Sequence, residues 1–147
     1  HTSFGFLIMF IGLNYNFSLE KDFNLKLGET KKFENYSIEF RGLQLKELKN
    51  YKAVIGEFKI DNSKNNSQQI LKPEIRIYES PSTLTYEASI RTGLLRDYYL
   101  TISNIDRSDY YNIKFQKKPL MLWIWISVIF ISLGGFIRFF KNAKNIH

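Results

Sequence analysis

Few side chains in this 147-residue chain could carry chemistry. There are two histidines and no cysteine, which removes disulfides, thiolate metal sites and cysteine nucleophiles. The histidines stand at the two ends, so no Ser–His–acid set can form inside the chain. There is no glycine-rich phosphate loop, since Gly134 and Gly135 lie in an apolar stretch. His147 closes a polar tail and reads as inert. His1 is different, because it opens an uncharged, apolar run to Leu13. Ionisable groups at such positions are costly in a bilayer and tend to be functional. A neutral imidazole in an apolar helix bundle is a good axial ligand for haem iron. On the residues alone, a hydrogen bond from His1 to a neighbouring helix is the stronger expectation.

Three arginines, Arg76, Arg91 and Arg96, share the segment from Lys72 to Asp97 with Glu74, Glu79 and Glu87. A guanidinium grips carboxylates bidentately, so contact with propionates or an acidic partner is one reading. Pairing at the surface with Glu74, Glu87 or Asp97 is the favoured one. The chain carries 21 basic and 14 acidic residues. Nothing before Glu20 is charged, and after Pro119 only Arg138, Lys141 and Lys144 are. The centre is left with a mild charge of about +4. No concentrated basic stripe is present, so no nucleic-acid partner is expected.

These residues need elements to position them. The run from His1 to Leu13 is too short to span a bilayer, which takes about 20 apolar residues. It lacks the basic start of a signal peptide. Residues 1–17 are therefore expected to be the C-terminal half of a transmembrane helix whose first half lies upstream, with Tyr15 and Phe17 near the interface. The chain begins with His, so a fragment, a processed product or a split protein is expected.

From Leu19 to Phe115 the period changes to two. Phe23, Leu25 and Leu27 alternate with polar residues; so do Tyr36, Ile38 and Phe40. Phe58 and Ile60, Ile75 and Ile77, then Leu84, Tyr86 and Ala88 follow. Tyr98, Leu100 and Ile102, then Tyr111, Ile113 and Phe115 complete the series. Such alternation marks half-buried strands. Turn signals separate them at Gly28, across 61–69, at Pro81 and across 104–109. The expected fold is mainly β, a small antiparallel sandwich or barrel of seven or eight strands over residues 18–118. A short helical turn is expected around Ile90 to Arg96. The Asn-x-Ser triplets at Asn16, Asn35 and Asn65 read as chance in an Asn-rich chain.

Leu120 to Ile137 is free of charge and just long enough to span. Residues 119–137 are expected to form a transmembrane helix, with Trp123 and Trp125 as interface anchors. Residues 138–147 form a basic tail. Positive residues in short tails favour the cytoplasmic or matrix side. The β-domain then faces the periplasm or the intermembrane space.

Three stretches in order carry a family resemblance. They are His1-Thr2-Ser3-Phe4-Gly5 with its apolar half-helix; Lys72 to Tyr99, with Lys-Pro-Glu-Ile-Arg-Ile-Tyr and Thr-Tyr-Glu-Ala-Ser-Ile-Arg-Thr-Gly-Leu-Leu-Arg-Asp-Tyr-Tyr; and Lys118-Pro119-Leu120-Met121-Leu122-Trp123-Ile124-Trp125 before Leu133-Gly134-Gly135. Their order and spacing resemble the C-terminal region of the CcmF family of cytochrome c-type biogenesis proteins, haem lyase subunits. The resemblance implies a polytopic protein of the bacterial inner membrane, or alternatively of the mitochondrial inner membrane. It implies a role in ligating haem to apocytochrome c beside other maturation membrane proteins and a haem chaperone. It also implies that His1 is an axial ligand of a b-type haem, since the family's transmembrane histidine before the β-domain falls there. The family's other haem-handling residues lie upstream, so these residues alone do not complete a haem site and are not expected to be catalytic. A cofactor-free, membrane-anchored scaffold or binding module is the alternative.

Overall fold

Strand and helix boundaries follow the change of period in the sequence. The computed structural model describes residues 1–104 and 109–144. A helix α1 (Thr2–Phe17) is followed by strands β1 (Leu19–Leu25), β2 (Thr30–Phe33), β3 (Tyr36–Glu47), β4 (Tyr51–Asn62) and β5 (Ser67–Leu71). Then come β6 (Glu74–Glu79), β7 (Ser82–Glu87), β8 (Ser89–Arg91), β9 (Arg96–Asn104) and β10 (Tyr111–Pro119), and finally helix α2 (Met121–Lys144). The chain divides into two compact units. One comprises Glu20–Arg91 and Tyr98–Gln116 and holds most of the strands; the other comprises His1–Leu19, Thr92–Asp97 and the chain from Lys117 onward.

The strand unit is a two-sheet structure. One sheet has the order β1-β10-β9-β8; the other has β2-β3-β4-β6-β7, with β5 also pairing β4. The alternating residues named from sequence make its core. Ile38, Phe40, Phe58, Leu100, Ile102, Ile113 and Phe115 are all buried. Phe40 and Phe58 are register partners across β3 and β4, with ring centroids 4.5 Å apart. Between the sheets, Phe115 of β10 meets Phe33 at 5.5 Å and Tyr36 at 5.4 Å. Tyr98 of β9 meets Tyr36 at 6.1 Å. Tilted and edge-on aromatic pairs of this kind add to the burial of their own area. Gly56 lets the sheets approach: a Cβ there would lie 2.7 Å from a Phe58 ring carbon and 3.0 Å from Ile102 Cδ1 on the opposite sheet. The expectation of a mainly antiparallel β-sandwich therefore holds.

The details differ in three places. The described residues contain ten strands rather than seven or eight. β2, β5 and β8 escaped the alternation test because few of their residues face the core; β2 and β8 have no buried residue and β5 has only Leu71. The polar stretch 61–69, read as a solvated hairpin loop, is a hairpin, and only its turn is shorter than that reading. Asp61 pairs with Gln68 and Asn62 with Ser67, leaving residues 63–66 to turn. No helical turn forms over 90–96. Ser89, Ile90 and Arg91 pair instead with Leu100, Tyr99 and Tyr98, so their N–H and C=O groups are satisfied across strands. The turn signal over 104–109 falls largely outside the described residues, as does His147.

The second unit is a helix pair with a docked loop. No residue of α1 is buried. Phe4, Phe6, Ile8 and Ile11 are all exposed although the helix is apolar all round, a pattern that belongs in an apolar medium. In α2, Met121–Arg138 is long and apolar enough to cross a membrane.

Candidate functional site

The helix pair is ordered by a short run of specific contacts. The Asn14 side-chain amide of α1 donates to the Pro119 carbonyl. One helical turn back along α1 and one turn forward along α2, the rings of Phe10 and Trp123 meet at 5.9 Å. The two helices therefore run antiparallel. At 1.5 Å per residue, His1 lies about 14 Å beyond Phe10, level with the neighbourhood of Ser132. His1 occupies the N-cap position of α1 without a side-chain capping bond, and among the described residues only its carbonyl is engaged, by the Gly5 N–H at 3.1 Å. The imidazole is exposed. The donor set is thus one uncommitted imidazole on an apolar helix. That fits one axial position on a haem iron and no more. Among the described residues no cluster of three His, Cys, Asp or Glu side chains could hold a metal ion.

Residue 120 joins the last strand to α2 in a left-handed conformation, with φ 60°. A branched residue there is strained and must be held by its surroundings. Its holders come from far along the chain. The Leu120 N–H donates to the Leu95 carbonyl at 3.0 Å, and the Trp123 indole N–H donates to the Leu94 carbonyl at 2.8 Å. The loop that offers these carbonyls is itself built tightly. Asp97, only 3% exposed, accepts the Gly93 N–H at 3.1 Å. A Cβ on Gly93 would lie 2.9 Å from the Arg96 carbonyl oxygen, so the turn has room only for glycine. Sequence reasoning did not find Asn14, Leu94, Leu95 or Leu120. The signals that point to them are a polar Asn in an apolar run and a Gly-Leu-Leu between two arginines.

The arginines separate. Arg76 is spent on the sheet surface: its Nε lies 3.0 Å from Glu74, a second nitrogen lies 3.8 Å from Glu87, and its guanidinium lies over the Tyr51 ring at 5.1 Å. The bond to Glu74 is the main cause holding it even further above its ordinary value. The pairing favoured from sequence is therefore met at Arg76. Arg91 ends β8 and is exposed, and Arg96 opens β9. A cleft of about 600 Å³ in the strand unit is lined by polar groups such as Lys32, Asn35, Asp61 and Gln68. Several of these bond to each other, Gln68 to Asp61 at 2.8 Å and Ser63 to the Asn35 carbonyl.

Two carboxylates in the strand unit are held below their ordinary values. Hydrogen bonding and charge from Lys72, 2.8 Å away, lower Glu57, and the Gln68 hydrogen bond chiefly lowers Asp61. A depressed carboxylate contributes stability above its unfolded value and loses it as pH falls through the folded one. The melting temperature is therefore expected to hold above about pH 4.5 and fall below it. Lys72→Met is expected to reduce that acid sensitivity, as thermal melts at pH 7 and pH 3.5 would show. The effect is modest because the pair is at the surface.

Comparison with known proteins agrees with this architecture. The family model described as the CcmF C-terminal beta-sandwich matches residues 16–119. The cytochrome c-type biogenesis protein CcmF of Haemophilus influenzae is 30% identical over 143 residues, covering 97% of this chain and 22% of that protein. CcmF of Escherichia coli is 24% identical over 140 residues, covering 95% of this chain and 22% of that protein. The chain thus spans about a fifth of the length of these relatives. A solved structure titled cytochrome c heme lyase CcmF matches the fold with a TM-score of 0.68 at 16% identity, covering 90% of this chain and 22% of the other. By the family match over residues 16–119, the chain belongs to the CcmF C-terminal β-sandwich family.

Proposed function

We propose that this chain is the C-terminal part of a haem lyase subunit for cytochrome c maturation, and that His1 offers one axial ligand to a b-type haem within the membrane. Membership of the CcmF family supports the general role. The observation that carries the finer reading is the antiparallel helix pair. It holds an exposed imidazole on an apolar helix level with the neighbourhood of Ser132, well along the span of α2. In this reading α2 crosses the bilayer, and Arg138, Lys141 and Lys144 remain on the cytoplasmic side. The β-domain then faces the periplasm of a bacterium or the intermembrane space of a mitochondrion. Its partners are the apocytochrome c, the other membrane proteins of maturation and a haem chaperone.

The protein's part is placement. His1 would bind the iron from one side, and the apolar faces of α1 and α2 would exclude water from it. The haem that is attached is a substrate distinct from this resident b-type haem; its vinyl groups take up the apocytochrome thiols as thioether links, and the protein would provide ligation and orientation. The ligand opposite His1 would come from outside these residues.

In the whole lyase, His1→Ala is expected to lower bound haem b severalfold in the purified protein, read from the reduced visible spectrum. Cytochrome c yield should fall with it, while circular dichroism shows the β-domain intact. Unchanged haem content in a folded variant would remove His1 from the site, and an intact protein that purifies colourless would favour the cofactor-free scaffold instead.

A further inference from the structure

The Arg-Thr-Gly-Leu-Leu-Arg-Asp stretch has so far only a structural part. Although it lies between two strands, Thr92–Asp97 clusters with the two helices. Two backbone carbonyls bind it there, Leu94 to the Trp123 indole and Leu95 to the Leu120 N–H. Gly93 and buried Asp97 fix its turn. A loop so closely held could have turned its leucines inward. It presents them outward instead: Leu94 is 72% exposed and Leu95 60% exposed. Two adjacent leucines facing water on a rigid loop call for a covering phase.

We propose that this loop is a lipid-facing wedge, with Leu94 and Leu95 seated in the headgroup–acyl boundary of the bilayer beside the first turn of α2. The proposal rests on the reading of α2 as a membrane span. Two observations favour lipid as the occupant. The backbone carbonyls of both leucines are bonded to residues at the start of the apolar window Met121–Arg138, Leu95 to the Leu120 N–H and Leu94 to the Trp123 indole. They are tied to Trp123, and an indole with an apolar ring and a polar N–H settles at the membrane interface. Here that N–H is satisfied by the loop itself, so the ring and the leucines share one level. On this view the wedge sets the depth and tilt of α2 by adding a second anchor beside the helix.

The absence of cysteine from these residues makes the test direct. Leu94→Cys, Leu95→Cys and Ile129→Cys would be made singly in the whole lyase, with any cysteine outside these residues replaced by serine, labelled with a nitrobenzoxadiazole probe and reconstituted in vesicles of phosphatidylcholine and phosphatidylglycerol at about 3:1. The loop's bonds use backbone carbonyls and the replaced side chains are exposed, so the substitutions leave its frame in place. Labels at positions 94 and 95 are expected to be quenched at least about twofold more strongly by lipid carrying a doxyl group at carbon 5 than by iodide. The free dye gives the water reference. A label at position 129 is expected to respond to a doxyl group at carbon 12 and not to iodide. If position 129 is quenched by lipid while 94 and 95 are quenched by iodide, or are shielded from both quenchers by protein, the wedge is overturned and the membrane span stands. If position 129 is itself open to iodide, the span is overturned and the wedge with it.

Discussion

Phe115→Ala is expected to destabilise the sandwich by about 3–5 kcal/mol, the usual cost of deleting a fully buried phenyl ring. Phe115 is wholly buried on β10. Its ring is the common neighbour of Phe33, Tyr36 and Tyr98, so one side chain links three strands other than its own. Truncation would leave those rings facing a cavity that the two sheets, held by their hydrogen bonds, can close only in part. Urea unfolding followed by near-ultraviolet circular dichroism reads the loss directly. With an m-value of about 1–3 kcal/mol per molar, the midpoint should fall by more than 1 M. Phe115→Leu should retain a large share of the stability. A loss below about 1 kcal/mol for the alanine variant would mean that the aromatic cluster is not the centre of the core.

The second large effect is expected in α2. Ile129 lies within the apolar window Met121–Arg138 and is exposed. If the helix crosses a bilayer, Ile129→Arg places a guanidinium near its centre at a cost of about 3 kcal/mol. That cost corresponds to a fall of roughly a hundredfold in the insertion equilibrium. Insertion into microsomes, scored with a glycosylation acceptor on each side, would measure it. Insertion of the arginine variant as complete as the wild type would argue that α2 is covered by protein or water and not by lipid.

Where the chain was legible, the reason is that its side chains divide between core and water. Tyr36, Ile38 and Phe40, or Tyr98, Leu100 and Ile102, announce a strand because alternate positions must leave solvent. β2 and β5 gave no such signal, since Thr30-Lys31-Lys32 and Ser67-Gln68-Gln69 are polar and owe their strand form to ladder partners elsewhere in the sequence. The stretch from Ile90 to Arg96 misled for a related reason. Leu94, Leu95 and Arg96 are good helix formers by local preference. Pairing of β8 with β9 and the tight turn at Gly93 override that preference. Of the candidate site, His1 was visible as an ionisable residue heading an apolar run. The joint around Leu120 was not, because its partners Asn14, Leu94 and Leu95 lie 25 or more positions earlier, and the local signals at Asn14 and at Gly-Leu-Leu do not say what they pair with.

That joint also has a direction in time. A chain is made from its N-terminus, and its parts fold broadly in that order. Asn14, Leu94 and Leu95, which supply the contacts to Pro119, Leu120 and Trp123, all precede them in synthesis. When α2 emerges, its seat already exists. Its first turn is set by bonds made to older parts of the chain, which offsets the unfavourable first step of helix formation. α2 is received into place, and its first turn waits on nothing made later within the described residues.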